Sequence, residues 1–162
     1  MPHVIKLLIV DDESRFLDAI AKRLKKRGFD VRTATNGKDA LQIARQEKFD
    51  IALLDLKMPG MDGSDVLKAL KHEHAFLEAI ILTGHGSLDS AVELTKLGAF
   101  SYLPKPYELD KLIETLKDAY EARLKKKFAA DQEKMDRIMK LATGEGPLGI
   151  MRKLGDIDDD RR

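Results

Sequence analysis

Four short apolar runs each end on, or lead into, a residue able to do chemistry. VIKLLIV delivers Asp11 and Asp12, DIALLDL delivers Asp55, AIILT ends on Thr83 with Gly84 beside it, and FSYL leads to Lys105-Pro106. Three carboxylates crowded at one edge repel one another, and without compensation at least one takes up a proton. A hard divalent cation relieves that repulsion. Magnesium suits the set better than calcium, because it is held by one or two carboxylates, waters and phosphate oxygens, whereas calcium prefers a fuller oxygen cage. The hydroxyl and the ammonium gain a purpose once a further anion arrives. A phosphoryl group on Asp55 is such an anion: a carboxylate can act as a phosphoryl-accepting nucleophile, giving an aspartyl phosphate. Its charge would be spread over magnesium, the Lys105 ammonium and the Thr83 hydroxyl. Gly84 leaves a donor room to approach in line.

Those four run ends must share one edge, and the spacing of the elements supplies the reason. Val4–Val10 reads as a first strand. A helix starting near Ser14 follows, with Phe16, Leu17, Ile20 and Leu24 on one face and a stop at Gly28. FDVRTAT alternates and reads as a strand nearer an edge. Asn36-Gly37 opens a helix with Ala40, Leu41 and Ala44 inward. The continuous apolar character of DIALLDL suits a parallel strand covered on both faces. After Pro59-Gly60, with Asp62 as a helix cap, Val66, Leu67 and Leu70 mark a third helix, and AIILT is the fourth strand. Ser87 caps a helix ending at Gly98, FSYL is the fifth strand, and Leu109, Leu112, Ile113, Leu116 and Tyr120 mark a fifth helix. Five strand–helix units in succession predict a doubly wound α/β sheet, and right-handed crossovers leave few other arrangements. In such a sheet, sites form outside the carboxyl ends of the strands where the strand order reverses.

Each residue alone has a plainer reading. Asp55 would serve as a turn residue, Asp11 and Asp12 as helix caps, Thr83 as a β-branched strand residue, and Lys105 as a solvated lysine. Their joint placement carries the inference. The basic run KRLKKR (22–27) fits a solvated helix face with a docking role, and His72 and His74 read as polar-face residues remote from the acids.

Composition narrows the class. The 162 residues carry a formal net charge of +1, with 43% apolar and 35% charged side chains, so neither nucleic acid nor anionic membrane exerts a general pull. Cysteine is absent, which excludes disulfides, thiolate catalysis and cysteine-held metals. The apolar start MPHVIKLLIV is too short to span a bilayer and runs straight into two acids, so it predicts the first strand of a cytoplasmic protein.

The blocks LIVDDES, LLDLKMPGMDG, ILTGHG and SYLPKP, in this order and over residues from about 4 to 122, resemble the response-regulator receiver domain of two-component, phosphorelay signalling. The stretch from TGHG to SYLPKP is most similar to receivers attached to nitrogen-regulatory-type activators, without their effector domains. The resemblance implies a flavodoxin-like five-stranded parallel sheet of order 2-1-3-4-5. It implies that Asp55 takes a phosphoryl group from a histidine kinase or phosphotransfer protein. Magnesium is then held by Asp12, Asp55 and the Lys57 backbone carbonyl, with Asp11 acting through water. Thr83 and Lys105 bind the phosphoryl group, Tyr102 changes rotamer as a switch residue, and Lys57 and His85 tune the lifetime. The Lys105-Pro106 bond is expected to be cis.

The expected organisation is a receiver domain over 1–125, a helical extension or docking segment over 126–155, and a disordered tail over 156–162. The expected output is protein contact with an unknown downstream target, or onward relay, including a homodimer through the fourth helix, fifth strand, fifth helix and the extension. Two alternatives compete. A haloacid-dehalogenase-like phosphatase also uses a strand-end aspartate, but wants a second acid two residues on, where Lys57 stands. A nucleic-acid-binding tail would need a basic stripe, and residues 128–162 hold 8 acidic and 7 basic side chains. No catalysis beyond the domain's own phosphorylation and dephosphorylation is expected.

Overall fold

The computed structural model describes residues 3–56, 63–84 and 88–143, of which 83 and 88–91 are described in backbone only. Five strands alternate with five helices: β1 (Lys6–Val10), α1 (Ser14–Lys26), β2 (Asp30–Ala34), α2 (Gly37–Gln46), β3 (Ile51–Leu54), α3 (Gly63–Glu73), β4 (Glu78–Thr83), α4 (Leu88–Lys96), β5 (Ser101–Pro104) and α5 (Leu109–Thr143). All strand pairs are parallel and the order is β2-β1-β3-β4-β5. This is the flavodoxin-like doubly wound sheet. The fifth strand begins one residue later than the apolar run suggested, because Phe100 stays partly exposed and its N–H goes to the Ala79 carbonyl.

Alternation along the central strands explains why their sequences are apolar throughout. Leu8, Val10, Ala52, Leu54, Ala79 and Ile81 face one layer, packed with Ala40, Ala44, Val66, Leu67 and Leu70 from α2 and α3. Leu7, Ile9, Ile51, Leu53, Ile80 and Leu82 face the other, packed with Leu17, Ile20 and Leu24 of α1 and Leu112, Leu116 and Ala119 of α5. A strand covered on both faces favours apolar side chains at every position, and the one buried acid within these strands, Glu78, stands at the very start of β4. Each large side chain removed from water contributes roughly 1.5–3 kcal/mol, so these strands form a rigid platform.

Helix ends follow from local chemistry. The Asn36 side chain caps α2 by accepting the Asp39 N–H at 2.8 Å. Gly28 ends α1 at φ 93° while Phe29 N–H reaches back to the Leu24 carbonyl, a left-handed cap that favours glycine. His74 lies just past α3, where its Nε2 meets the Ala44 carbonyl at 2.7 Å and ties α3 to α2; it is not on the polar helix face expected, whereas His72 is exposed on α3.

The pole away from the strand carboxyl ends is also ordered by charge. Asp50, buried just before β3, accepts the Lys6 N–H at 2.9 Å and pairs with His3 at 3.2 Å and Arg123 at 2.9 Å. His3 stacks on Tyr120 with ring centroids 5.7 Å apart. The chain divides into two units, Met1–Arg123 and Leu124–Arg162. In the second, helical structure continues to Thr143, with Phe128, Met135, Ile138 and Met139 exposed and Lys127–Asp131 and Glu133–Arg137 pairs along its surface. The expected disordered tail, 156–162, lies outside the described residues. No helix among the described residues is long and apolar enough to cross a membrane.

Candidate functional site

Strand order reverses between β1 and β3, and the two acids that follow these strands are fixed by the sheet itself. Asp55 N–H donates to the Val10 carbonyl at 2.9 Å, and Asp11 N–H donates to the Ala34 carbonyl at 3.1 Å. Both therefore extend the ladder one step past the last strand residues. Asp11 and Asp55 are only 2% and 4% exposed, while Asp12 faces solvent. Oxygen atoms of Asp11, Asp12 and Asp55 all lie within 4.8 Å of one another.

Lys105 reaches this acid cluster from the end of β5. Its Nζ donates to Asp11 Oδ2 at 2.6 Å, while Asp11 Oδ1 accepts the Glu13 N–H at 2.9 Å. Both oxygens of Asp11 are thus engaged by the protein, which fits a carboxylate that acts on a cation through water. Burial favours the neutral amine, yet the hydrogen bonds to Asp11 and Glu13 and the negative charges of Asp11 and Asp55 outweigh it, and the Lys105 pKa is raised. The lysine stays an ammonium. The Lys105-Pro106 bond is cis.

The other expected site residues fall in three groups. Thr83 ends β4 in register with Pro104, so its backbone stands at the same edge; its side chain is among the parts not described. Lys57, Asp62, His85 and Ser87 lie outside the described residues. Tyr102 is half-buried on β5 against the α2–α3 layer of the core. Gly84 is exposed beside Lys105, and a Cβ placed on it would lie 3.9 Å from the Lys105 Cβ, ordinary contact distance. On α1, Lys22, Arg23, Lys25, Lys26 and Arg27 are exposed around buried Leu24, consistent with a solvated basic face.

Three residues of the site were not anticipated for their roles. Glu13 stands at the N-cap position of α1 without capping it; its carboxylate lies 3.4 Å from Lys105 Nζ instead. Phe16, expected only as a core-facing helix residue, presents its ring 3.9 Å from the same ammonium and meets Tyr107 edge-on, with centroids 6.1 Å apart. Gly63 opens α3 so close to the end of β3 that a Cβ would sit 2.5 Å from the Asp55 carbonyl oxygen. Its N–H donates to Leu56 at 2.8 Å. The first two contacts join residues about ninety positions apart, which no local pattern displays; Gly63 was visible only as the last letter of a turn-rich stretch.

The donor set suits magnesium. Three carboxylates supply hard oxygen ligands, and exposed Asp12 leaves the outer side to water and to an arriving phosphate oxygen. Among the described residues no other trio of acids or histidines comes together in this way.

Comparison with known proteins agrees with this geometry. Residues 7–117 match the response regulator receiver domain family. The DNA-binding transcriptional regulator NtrC of Escherichia coli is 38% identical over 111 residues, covering 68% of this chain and 24% of that protein. The chain thus spans about a quarter of the length of the curated relatives it matches. A receiver domain structure from Clostridium thermocellum is 36% identical with a TM-score of 0.71, covering 78% of this chain and 99% of that one. NtrX from Brucella abortus, in complex with ADP, is 30% identical with a TM-score of 0.76, covering 80% and 30% respectively. Receiver domains bind magnesium at an acidic pocket and interact with histidine kinases or phosphotransfer proteins. With 111 consecutive residues matched and both acid-bearing strands in place, this chain belongs to the response regulator receiver domain family of two-component signalling.

Proposed function

We propose that Asp55 accepts a phosphoryl group from the phosphohistidine of a histidine kinase or phosphotransfer protein, and that this modification switches a protein-binding surface. The observation that carries the reading is the placement of the Asp55 carboxylate. It lies within 4.8 Å of the Asp11 and Asp12 oxygens, with the Lys105 ammonium already drawn to Asp11. In the transfer an Asp55 oxygen forms a bond to phosphorus as the phosphorus–nitrogen bond breaks. The imidazole leaves with the electron pair. Asp12, Asp55 and the Lys57 carbonyl, with Asp11 through water, would hold a magnesium ion, which would supply charge neutralisation for the transferring oxygens. Lys105 and the Thr83 hydroxyl hold the new phosphoryl charge, and Tyr102 follows as the switch residue. The face that changes is formed by α4, β5 and α5.

The domain then turns over no external substrate and works in the cytoplasm through protein contacts. Exposed Phe128, Met135, Ile138 and Met139 favour the segment after Arg123 as part of a homodimer contact. The test is mass spectrometry after incubation with a small phosphodonor and magnesium. One phosphoryl group should be added to the intact chain, and none to Asp55→Asn. Magnesium should also raise the thermal midpoint, by an increment corresponding to about 2.7 kcal/mol at a hundredfold excess over Kd; Asp12→Asn should lose most of it. Equal labelling of Asp55→Asn, or labelling indifferent to magnesium, overturns the reading.

A further inference from the structure

Lys105 is held by more than the acid it is expected to serve. Its Nζ donates to Asp11 at 2.6 Å, lies 3.4 Å from the Glu13 carboxylate, and sits 3.9 Å from the centroid of the Phe16 ring. The three contacts come from one short stretch, the end of β1 and the first turn of α1. Phe16 in turn packs perpendicular to the ring of Tyr107, two residues beyond the lysine, with centroids 6.1 Å apart. An aromatic face attracts a cation through its quadrupole without offering a lone pair. Glu13 offers a full negative charge. Its side chain is 66% exposed while that of Lys105 is 16% exposed, so the carboxylate lies on the solvent side of the ammonium. Glu13 has no other duty visible at the helix start, where its side chain makes no cap bond.

We propose that Glu13 and Phe16 are positioning residues for Lys105, and that the Glu13 carboxylate biases the site against doubly charged acyl phosphates and toward donors whose phosphorus is bound to nitrogen. The proposal rests on Asp55 being the phosphoryl acceptor. An incoming phosphoryl group must share Lys105 with Glu13, and approaches a mouth that already carries that negative charge. Acetyl phosphate arrives with two negative charges. Transfer forms the Asp55 oxygen–phosphorus bond and breaks the bond from phosphorus to the acyl oxygen, and acetate leaves with the electron pair. Phosphoramidate has a protonated nitrogen and a net single charge. Transfer forms the same bond and breaks phosphorus–nitrogen, the pair staying on nitrogen as ammonia. Glu13 repels the first donor more strongly than the second. Phe16 holds the ammonium without adding charge, so the lysine stays at the mouth after Glu13 releases it.

The experiment measures phosphorylation rates of the full chain with magnesium and each donor, in the parent, Glu13→Gln, Glu13→Asp and Phe16→Leu. Glu13→Gln should raise the acetyl phosphate rate about three- to tenfold, with the phosphoramidate rate rising by less than half as much. Added salt should narrow that difference in the parent and leave it nearly flat in Glu13→Gln. Glu13→Asp should restore part of the discrimination, which a purely structural role would not. The cradle is also read without any transfer. The Lys105 ε-methylene resonances should be shifted upfield by the Phe16 ring in the parent and in Glu13→Gln, and should lose that shift in Phe16→Leu. Equal changes for both donors, or no change, overturn the role of Glu13; an unmoved ε-methylene in Phe16→Leu overturns the role of Phe16. Failure of the underlying reading looks different, since the parent would then take no phosphoryl group from either donor. In that outcome the donor bias falls with it, and the resonance decides the cradle.

Discussion

Asp11 and Lys105 are 94 residues apart in the chain and meet at 2.6 Å, joining the end of β1 to the end of β5 across the carboxyl edge of the sheet. The contact holds a nearly buried carboxylate beside an ammonium whose pKa that same carboxylate helps to raise. It also places the cation where two strands, β3 and β4, lie between its own backbone and the residue it binds. In Lys105→Met the aliphatic bulk is kept and the charge is lost. Asp11 then retains the Glu13 N–H but no ammonium, and the crowding of the three acids goes uncompensated. Urea unfolding without magnesium should show a loss of about 1–3 kcal/mol, and added magnesium should recover more stability in this variant than in the parent. A variant as stable as the parent would mean that the pair is fully solvated.

Gly63 controls the same edge through the backbone. A methyl group there would lie 2.5 Å from the Asp55 carbonyl oxygen and 3.0 Å from the Leu56 Cα, and neither neighbour is a side chain that can move aside. Gly63→Ala should therefore push the start of α3 off the end of β3. The expected costs are about 1–3 kcal/mol in unfolding and a slower phosphorylation of Asp55, read together by urea titration and mass spectrometry. Unchanged values for both would show that the turn tolerates the shift.

The parallel sheet and the acids at its strand ends were legible because apolar runs buried on both faces leave an unmistakable pattern, whereas the strand order came from the family resemblance. Leu53 and Leu54 occupy opposite layers, so nothing interrupts the run until Asp55. Contacts that depend on side-chain reach were not legible. Glu13 reads as an ordinary exposed helix-start acid and Phe16 as one more core residue of α1. Only the meeting of the segment after β5 with the start of α1 brings Lys105 onto both. Asp50 was absorbed into the third strand by its apolar neighbours, although it precedes β3 and gathers Lys6, His3 and Arg123. A helical extension or docking segment over 126–155 was expected, and α5 continues to Thr143 with Phe128, Met135, Ile138 and Met139 exposed.

Tyr107 supplies a pH signature. Burial raises its phenol to about 12, with the Asp11 charge adding to the rise and Arg23 opposing it. The folded protein therefore holds this proton more tightly than the unfolded chain, whose tyrosines titrate near 10. The corresponding stability is fully present below pH 10 and is lost as pH rises through about 12. Phenolate absorbance should show a late-titrating tyrosine that disappears in Tyr107→Phe. A Tyr107 that titrates near 10 in the folded protein would place its ring in water and undo its packing against Phe16.

Asp50 allows stability to be separated from function. It sits at the amino end of β3, the opposite pole of the strand from Asp55, and its two oxygens collect the Lys6 N–H, His3 and Arg123. Asp50→Asn keeps the shape and removes the charge, so Arg123 is left half-buried without its counterion. Removing one partner of such a pair costs more than the pair itself contributes, because the remaining charge stays desolvated. Urea unfolding should show a loss of about 1–3 kcal/mol, and amide exchange should quicken around Tyr120 and Arg123 before it does elsewhere. The phosphorylation rate of Asp55 should stay within about twofold, since β3 is pinned by its own ladder to β1 and β4. A large fall in that rate with the sheet intact would show that charge at one end of β3 is felt at the other, and would make Asp50 part of the switch.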